Sequence, residues 1–323
     1  MEPSSNEVVR DELVSGVVAS RGAGTVAGTG TMRQQMWRVF RQNKLALASL
    51  AFVVILILGA VIYPFFFNGL YWKSAPIDLA NTCFNSTAPG YTGSAPPSAH
   101  HWLGCIKGYD TIGLLFYSGR FSLGIGFLSA IVTMSLGVTY GMLSGYIGGK
   151  LDAILMRIVD MMLSIPGLYL LILTIVLFGR SFVALTVVIG FTGWFGVARL
   201  MRAETQSLRE RDYVAAAITM GASRQRIIYR HILPNAMSTM VTAGTFALGD
   251  AILALAGIGF LGLGLQPPQF DWGTLIQRGS DVFKLGYWWT IWPIAALFIL
   301  FVLSTNYIGD AMRDAFEVRL QEQ

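Results

Sequence analysis

Asp212-Tyr-Val-Ala-Ala-Ala-Ile-Thr-Met-Gly221-Ala-Ser-Arg-Gln-Arg-Ile-Ile-Tyr-Arg-His231-Ile-Leu-Pro234-Asn235 lies between two apolar runs and sets the reading of the whole chain. It predicts a short helix, a stop at Gly221, a second short helix and a proline-marked return to an apolar segment. Glycine lacks the Cβ that penalises the left-handed conformation in which many helices end. Ser223 is placed to cap the second helix by accepting a backbone N–H. Pro234 opposes further extension, and Asn235 is placed to cap the segment that follows. The loop holds no metal-ligand set and no nucleophile–base pair. Two helices bent over each other without chemistry of their own suggest a docking element.

The surroundings of that loop are those of a membrane protein. Of 323 residues, 54% are hydrophobic and 13% charged, with a mean hydropathy of +0.57. The charged share is about half that of a soluble domain, too little to cover a water-facing surface. Six segments approach the ~20 residues that cross a bilayer as a helix: 45–67, 121–147, 161–179, 181–198, 236–260 and 285–309. The third contains Pro166 and the fifth Asp250. The last opens with Tyr287, Trp288, Trp289 and Trp292, an interfacial aromatic cluster.

Lysine and arginine set the expected orientation. With the N-terminus inside, the inner flanks hold Arg33, Arg38, Arg41, Lys44, Lys150, Arg157, Arg199, Arg202, Arg209, Arg211, Arg224, Arg226, Arg230, Arg313 and Arg319. The outer flanks hold Lys73, Lys107, Arg120, Arg180, Arg278 and Lys284. Fifteen against six places both termini and the docking loop in the cytoplasm. The net charge of +5 therefore reads as membrane orientation and not as a nucleic-acid surface.

Along the chain, residues 1–31 read as a flexible cytoplasmic tail. Residues 32–44 read either as an amphipathic inner-surface helix or as the basic flank of the first span at 45–67. Residues 68–120 form an extracytoplasmic insertion holding both cysteines, Cys83 and Cys105, whose shared compartment suggests a disulfide. Residues 121–314 form the core, with the docking loop at 199–235, and 315–323 a cytoplasmic tail. Gly137, Gly141 and Gly145 recur on one helix face and suit close helix contact, within the chain or with a partner.

Several chemistries are excluded. No Gly-x-x-x-x-Gly-Lys-Ser/Thr phosphate loop is present, so ATP hydrolysis is not expected of this chain. No metal site is expected: His100 and His101 fall outside and His231 inside, and there is no His-Glu-x-x-His. Asp250 is the one acid well inside an expected span, and it either lines a pathway or finds a partner in the bundle.

The docking loop resembles the "EAA" coupling loop of ABC importer permeases, whose consensus is Glu-Ala-Ala, a glycine and then Leu-Pro. Ala216, Ala217, Gly221, Leu233 and Pro234 match at the family spacing, and Ala222, Ser223 and His231 lie within the same motif. Ala215 stands at the glutamate position. More of the chain is similar to the C-type permease of the dipeptide/oligopeptide/nickel branch. The matching residues are His101-Trp-Leu-Gly104 with Asp110, Gly119 and Arg120; Gly145-Tyr-Ile-Gly-Gly149 with Asp152, Arg157, Asp160 and Pro166; Gly193-Trp194, Arg199 and Arg202; Phe260-Leu-Gly-Leu-Gly264, Pro267, Pro268 and Trp272; and Asn306, Asp310, Arg313 and Asp314. Leu255 stands where related chains tend to carry an acid.

The resemblance implies an all-α membrane protein with six transmembrane helices in the type I ABC importer permease fold, plus an extracytoplasmic loop insertion. It implies a subunit of the bacterial inner membrane that pairs with a homologous permease as a heterodimer. Two ATPase subunits, holding ATP and Mg, would bind the coupling loops, and an extracytoplasmic substrate-binding protein would deliver di- or oligopeptides. No cofactor is expected in this chain. Nickel complexes or another small solute remain alternative cargoes. An ion-coupled secondary transporter that uses Asp250 is the alternative of another class.

Overall fold

In hydrocarbon each backbone N–H and C=O must be satisfied within its own segment, so charge-free runs become helices. A computed structural model of the chain describes residues 32–66, 94–99, 101–107 and 109–321. Their helices are α1 (Met32–Gln42), α2 (Lys44–Phe66), α3 (Thr111–Ile147), α4 (Gly149–Leu163), α5 (Gly167–Phe178), α6 (Phe182–Arg209), α7 (Asp212–Thr219), α8 (Arg224–Ile227), α9 (Leu233–Asn235), α10 (Met237–Phe260), α11 (Trp272–Phe283) and α12 (Trp292–Gln321). A two-stranded antiparallel ladder, β1 (Cys105–Ile106) with β2 (Tyr109–Asp110), precedes α3. Among the described residues α2, α3, α6, α10 and α12 are each long and apolar enough to cross a membrane, and the bent pair α4–α5 makes a sixth candidate.

That pair corrects the expected third span. Residues 161–179 are not one helix: α4 and α5 meet at 84°. Pro166 has no N–H to donate and drives Ile165 out of helical geometry. Two other boundaries also move. α3 begins at Thr111 rather than 121, because the Asp110 carboxylate accepts the Gly113 N–H at 2.9 Å and starts the helix there. α6 runs on from the apolar stretch to Arg209, since no glycine or proline stops it at 198. The stretch read over 32–44 as an inner-surface helix or the basic flank of the first span forms a helix, Met32–Gln42, with Phe40 buried beside Ala46 and Ala311.

The expected tail at 1–31 and most of the insertion, Cys83 included, lie outside the described residues. Cys105 is fully buried and disulfide-bonded.

The centre of the bundle is α3 against α6. A Cβ built on Gly137 would stand 2.6 Å from Val197 Cβ, and one on Gly145 would stand 2.6 Å from the Arg202 carbonyl oxygen. The glycine face of α3 is thus used within the chain. The Ser129 hydroxyl donates to the Thr186 carbonyl at 2.9 Å and the Thr133 hydroxyl to the Gly190 carbonyl at 3.0 Å, binding the helices further. At the opposite end from the docking loop, α11 was not anticipated as an element. Asp271 caps it, and Trp272 is buried against Phe301 with its indole N–H donating to the Leu115 carbonyl at 3.1 Å. Burial pushes the Asp271 carboxyl above the usual carboxylate range, against the hydrogen bonds from Thr274, Leu265 and Gly273.

Candidate docking element and cavity

The docking loop folds as two short helices around a glycine stop. Gly221 has φ +79°, the left-handed region. The Gly221 N–H donates to the Ile218 carbonyl and the Ala222 N–H to the Ala217 carbonyl, each at 3.0 Å. Together these are the two bonds of a Schellman motif, which satisfies carbonyls that α7 would otherwise leave open. The Ser223 hydroxyl oxygen accepts the Arg226 N–H at 3.4 Å and starts α8.

The expectations for Pro234 and Asn235 are corrected. The second helix does not stop at Pro234. It passes through a π turn, Ile228–Ile232, into α9. Within that turn the Leu233 N–H reaches back to the Ile228 carbonyl, and the wider turn makes room for a ring with no donor. Asn235 does not cap α10. Its side-chain amide donates to the His231 carbonyl at 2.6 Å, and the first α10 position is preceded by Ala236 without a side-chain cap.

Burial divides this element into an anchor and an outer face. Val214, Ala217, Ile227, Ile232 and Ala236 pack against Met142, Val197 and Met201 of the bundle, with Leu233 and Ala222 beside them. Ala215, Ala216, Met220, Gly221, Ser223 and Tyr229 face outward, and His231 and Pro234 are half-buried. Met220 is 80% exposed and Tyr229 69%. Ala215, at the position that the resemblance would give to a glutamate, therefore leaves an apolar spot on the outer face. Glu210 and Asp212 are exposed beside it.

A bracing network joins the base of this element to α3 and α4. Arg202 on α6 donates from Nε and Nη2 to the two oxygens of Asp152 on α4, each at 2.6 Å. Ser144 on α3 donates to the same carboxylate, as does Gln206 at 3.3 Å. Arg209 donates to the Tyr146 carbonyl at 3.0 Å. Asp152 and Arg202 were legible only as matches to a family pattern; opposite charges at neighbouring helix ends of one face are the signal that pairs them.

Asp250 faces a cavity of about 350 Å³ between α5, α6 and α10. Its wall includes Thr133, Leu171, Thr192, Gly196, Phe246 and Ala254. Leu255, where the family resemblance leads to the expectation of an acid, points elsewhere and is buried with Ile125, Val188 and Ile258. None of Thr192, Gly196 or Leu200 was singled out from sequence, since small and apolar residues look alike in any span. A second, more polar cavity lies next to the first through Leu200 and includes Glu204, Asn235, Thr239, Thr242 and Arg313.

Comparison with known proteins places these features. Residues 137–322 match the model of the binding-protein-dependent transport system inner membrane component, and residues 31–81 match that of the N-terminal TM domain of oligopeptide transport permease C. The dipeptide transport system permease protein DppC of Bacillus subtilis is 34% identical over 289 residues, 89% of this chain and 86% of that protein. The oligopeptide transport system permease protein OppC of Haemophilus influenzae is 33% identical over 287 residues, 88% of each. In fold, the chain is similar to an inward-facing MetNI methionine ABC transporter chain, with TM-score 0.53 and 23% identity, over 63% of this chain and 96% of that one. The family matches and the relatives over most of the length lead to one conclusion: this chain belongs to the inner membrane components of binding-protein-dependent transport systems, as a permease of the dipeptide/oligopeptide C type.

Proposed function

We propose that this chain is one half of the translocation pathway of an ATP-driven peptide importer. A homologous permease completes the pathway, two ATPase subunits grip the paired coupling elements, and an external binding protein delivers di- or oligopeptides. The reading rests on one observation above all: α7, α8 and the π turn after them anchor Val214, Ala217, Ile227 and Ile232 to the bundle while turning Met220 and Tyr229 outward. Such an element transmits displacement between a partner and the spans. It performs no bond chemistry, so ATP and Mg act on the partner subunits and this chain needs no cofactor. The names of the relatives support peptide cargo. Both termini and the coupling element are cytoplasmic in this reading, following the lysine and arginine distribution.

ATP closing the ATPase pair would carry the coupling elements with it and rock the spans between inward-open and outward-open packings. The test is uptake of a labelled tripeptide into vesicles holding the whole complex and its binding protein. ATP without an ion gradient is expected to drive uptake. Uptake driven by a gradient without ATP, and abolished by Asp250→Asn, would instead establish an ion-coupled transporter.

On the opposite face the bond partner of Cys105 is assigned to Cys83, the one other cysteine in the chain. A non-reduced digest should yield the joined peptides by mass spectrometry. A Cys83 that labels fully with a thiol reagent before reduction would refute the pairing.

A further inference from the structure

Asp250 sits thirteen positions into α10, a rise of about 20 Å from its start, which is mid-membrane depth. It is exposed to the cavity, and among the described residues it has no hydrogen-bond or ion-pair partner. The cavity wall contains no lysine, arginine or histidine to neutralise it. An ionisable side chain at this depth requires a partner, and a structural one is missing from the wall.

The neighbouring hydroxyls narrow the chemistry of that partner. The Thr133 hydroxyl proton is committed to the Gly190 carbonyl at 3.0 Å, and that of Thr192 to the Val188 carbonyl at 3.0 Å. Both oxygens keep accepting capacity but have no proton left to give. All three polar side chains of the cavity wall therefore accept hydrogen bonds. An ammonium group offers three donors, no acceptor and a positive charge, and it complements all three.

We propose that Asp250, with the Thr133 and Thr192 hydroxyl oxygens, receives the free α-ammonium group of a peptide inside the permease, so that this chain itself discriminates against N-acylated peptides. The inference rests on the peptide-importer reading and adds a recognition site to it.

The test uses the whole complex without its binding protein, which removes that protein's own selectivity. Ala254→Cys, one turn along α10 from Asp250 and in the same wall, supplies a reporter thiol for maleimide labelling. Tri-alanine and N-acetyl-tri-alanine are compared as protectants. With Asp250 present, half-protection by tri-alanine is expected at about tenfold lower concentration than by the acetylated peptide. Asp250→Asn should bring the two within about twofold, and Asp250→Glu should restore the difference. Equal protection by both peptides with Asp250 intact, or no protection by either, overturns the site, and this comparison needs no Asp250 variant to fold. Loss of the homologous permease on purification of Asp250→Asn also overturns it, because the carboxylate then serves a subunit contact. ATP-driven uptake of tri-alanine, measured on the same complex reconstituted with binding protein, separates the two readings. Uptake without discrimination removes only the ammonium site, and absent uptake removes the peptide-importer reading.

Discussion

Glycine is used in opposite ways on the two sides of α6. Toward α3, a Cβ on Gly190 would stand 2.7 Å from Val132 Cβ and 2.9 Å from the Ser129 carbonyl oxygen. Toward the cavity, a Cβ on Gly196 would meet nothing within 4 Å, and the same holds for Gly167 across from it on α5. On the first side glycine lets two backbones touch. On the second it leaves room. The α3 side, held by backbone contact and hydroxyl bonds, is committed to holding the chain together. The cavity side is left open, and its polar residues keep unused acceptors.

The contrast can be broken most severely at Gly141. A Cβ there would stand 2.8 Å from Met201 Cβ and 3.0 Å from the Arg202 nitrogen, and both belong to a helix that has nowhere to retreat. Gly141→Val should cost about 3 kcal/mol and leave little folded protein by fluorescence-detected size exclusion. A normal yield with an unchanged melting midpoint would mean that α3 and α6 slide more freely than their contacts imply. Asp152→Asn attacks the same committed side through charge. It leaves the Arg202 guanidinium, only 32% exposed, without its counter-ion. A loss of about 2 kcal/mol is expected, read as a lowered melting midpoint of the purified complex.

Gly221→Val separates coupling from folding. Its φ of +79° costs a β-branched residue about 1–2 kcal/mol locally, although the space beside it is open. The protein should insert at normal levels while transport and substrate-stimulated ATPase activity fall. Wild-type transport in that variant would remove the coupling role. Gly196→Ala should do least, changing stability by under about 0.5 kcal/mol because its methyl group enters empty space. A collapse in yield would show that the cavity side is packed after all.

Sequence and structure agree best where one physical demand acts alone. The run from Lys44 to Phe66 has no charge after Lys44 and little choice but to be a helix, so its ends were placed within a residue. Gly221 and Ser223 were readable because helix ends are decided by residues within a turn. Apolar runs were poorer guides to α3 and α6, since hydropathy reports where lipid ends and not where the helix ends. Pro166 looked tolerable inside a span and proved to be an 84° bend. Pro234 looked like a stop and was absorbed by a π turn, which depends on the tertiary seat of Ile227 and Ile232. α11, the Asp152–Arg202 bracing and the cavity around Asp250 depend on distant segments meeting, and no local pattern announces that. Asp250 itself stood out because charge inside a span is rare; its acceptor-only surroundings did not.

α3 has 37 residues, so it is about 55 Å long and outreaches the ~30 Å hydrocarbon core at its ends. Backbone contact fastens it to α6, and Ser144, donating to the Asp152 carboxylate that Arg202 also holds, ties down the end nearest the docking loop. A rod of that length acts as a lever. Tilting it by about 10° around its midpoint carries each tip about 5 Å sideways, in opposite directions. A nudge delivered through α7 and α8 at one tip would arrive at Asp110, and at the strand pair beside it, without any bond in the middle having to stretch.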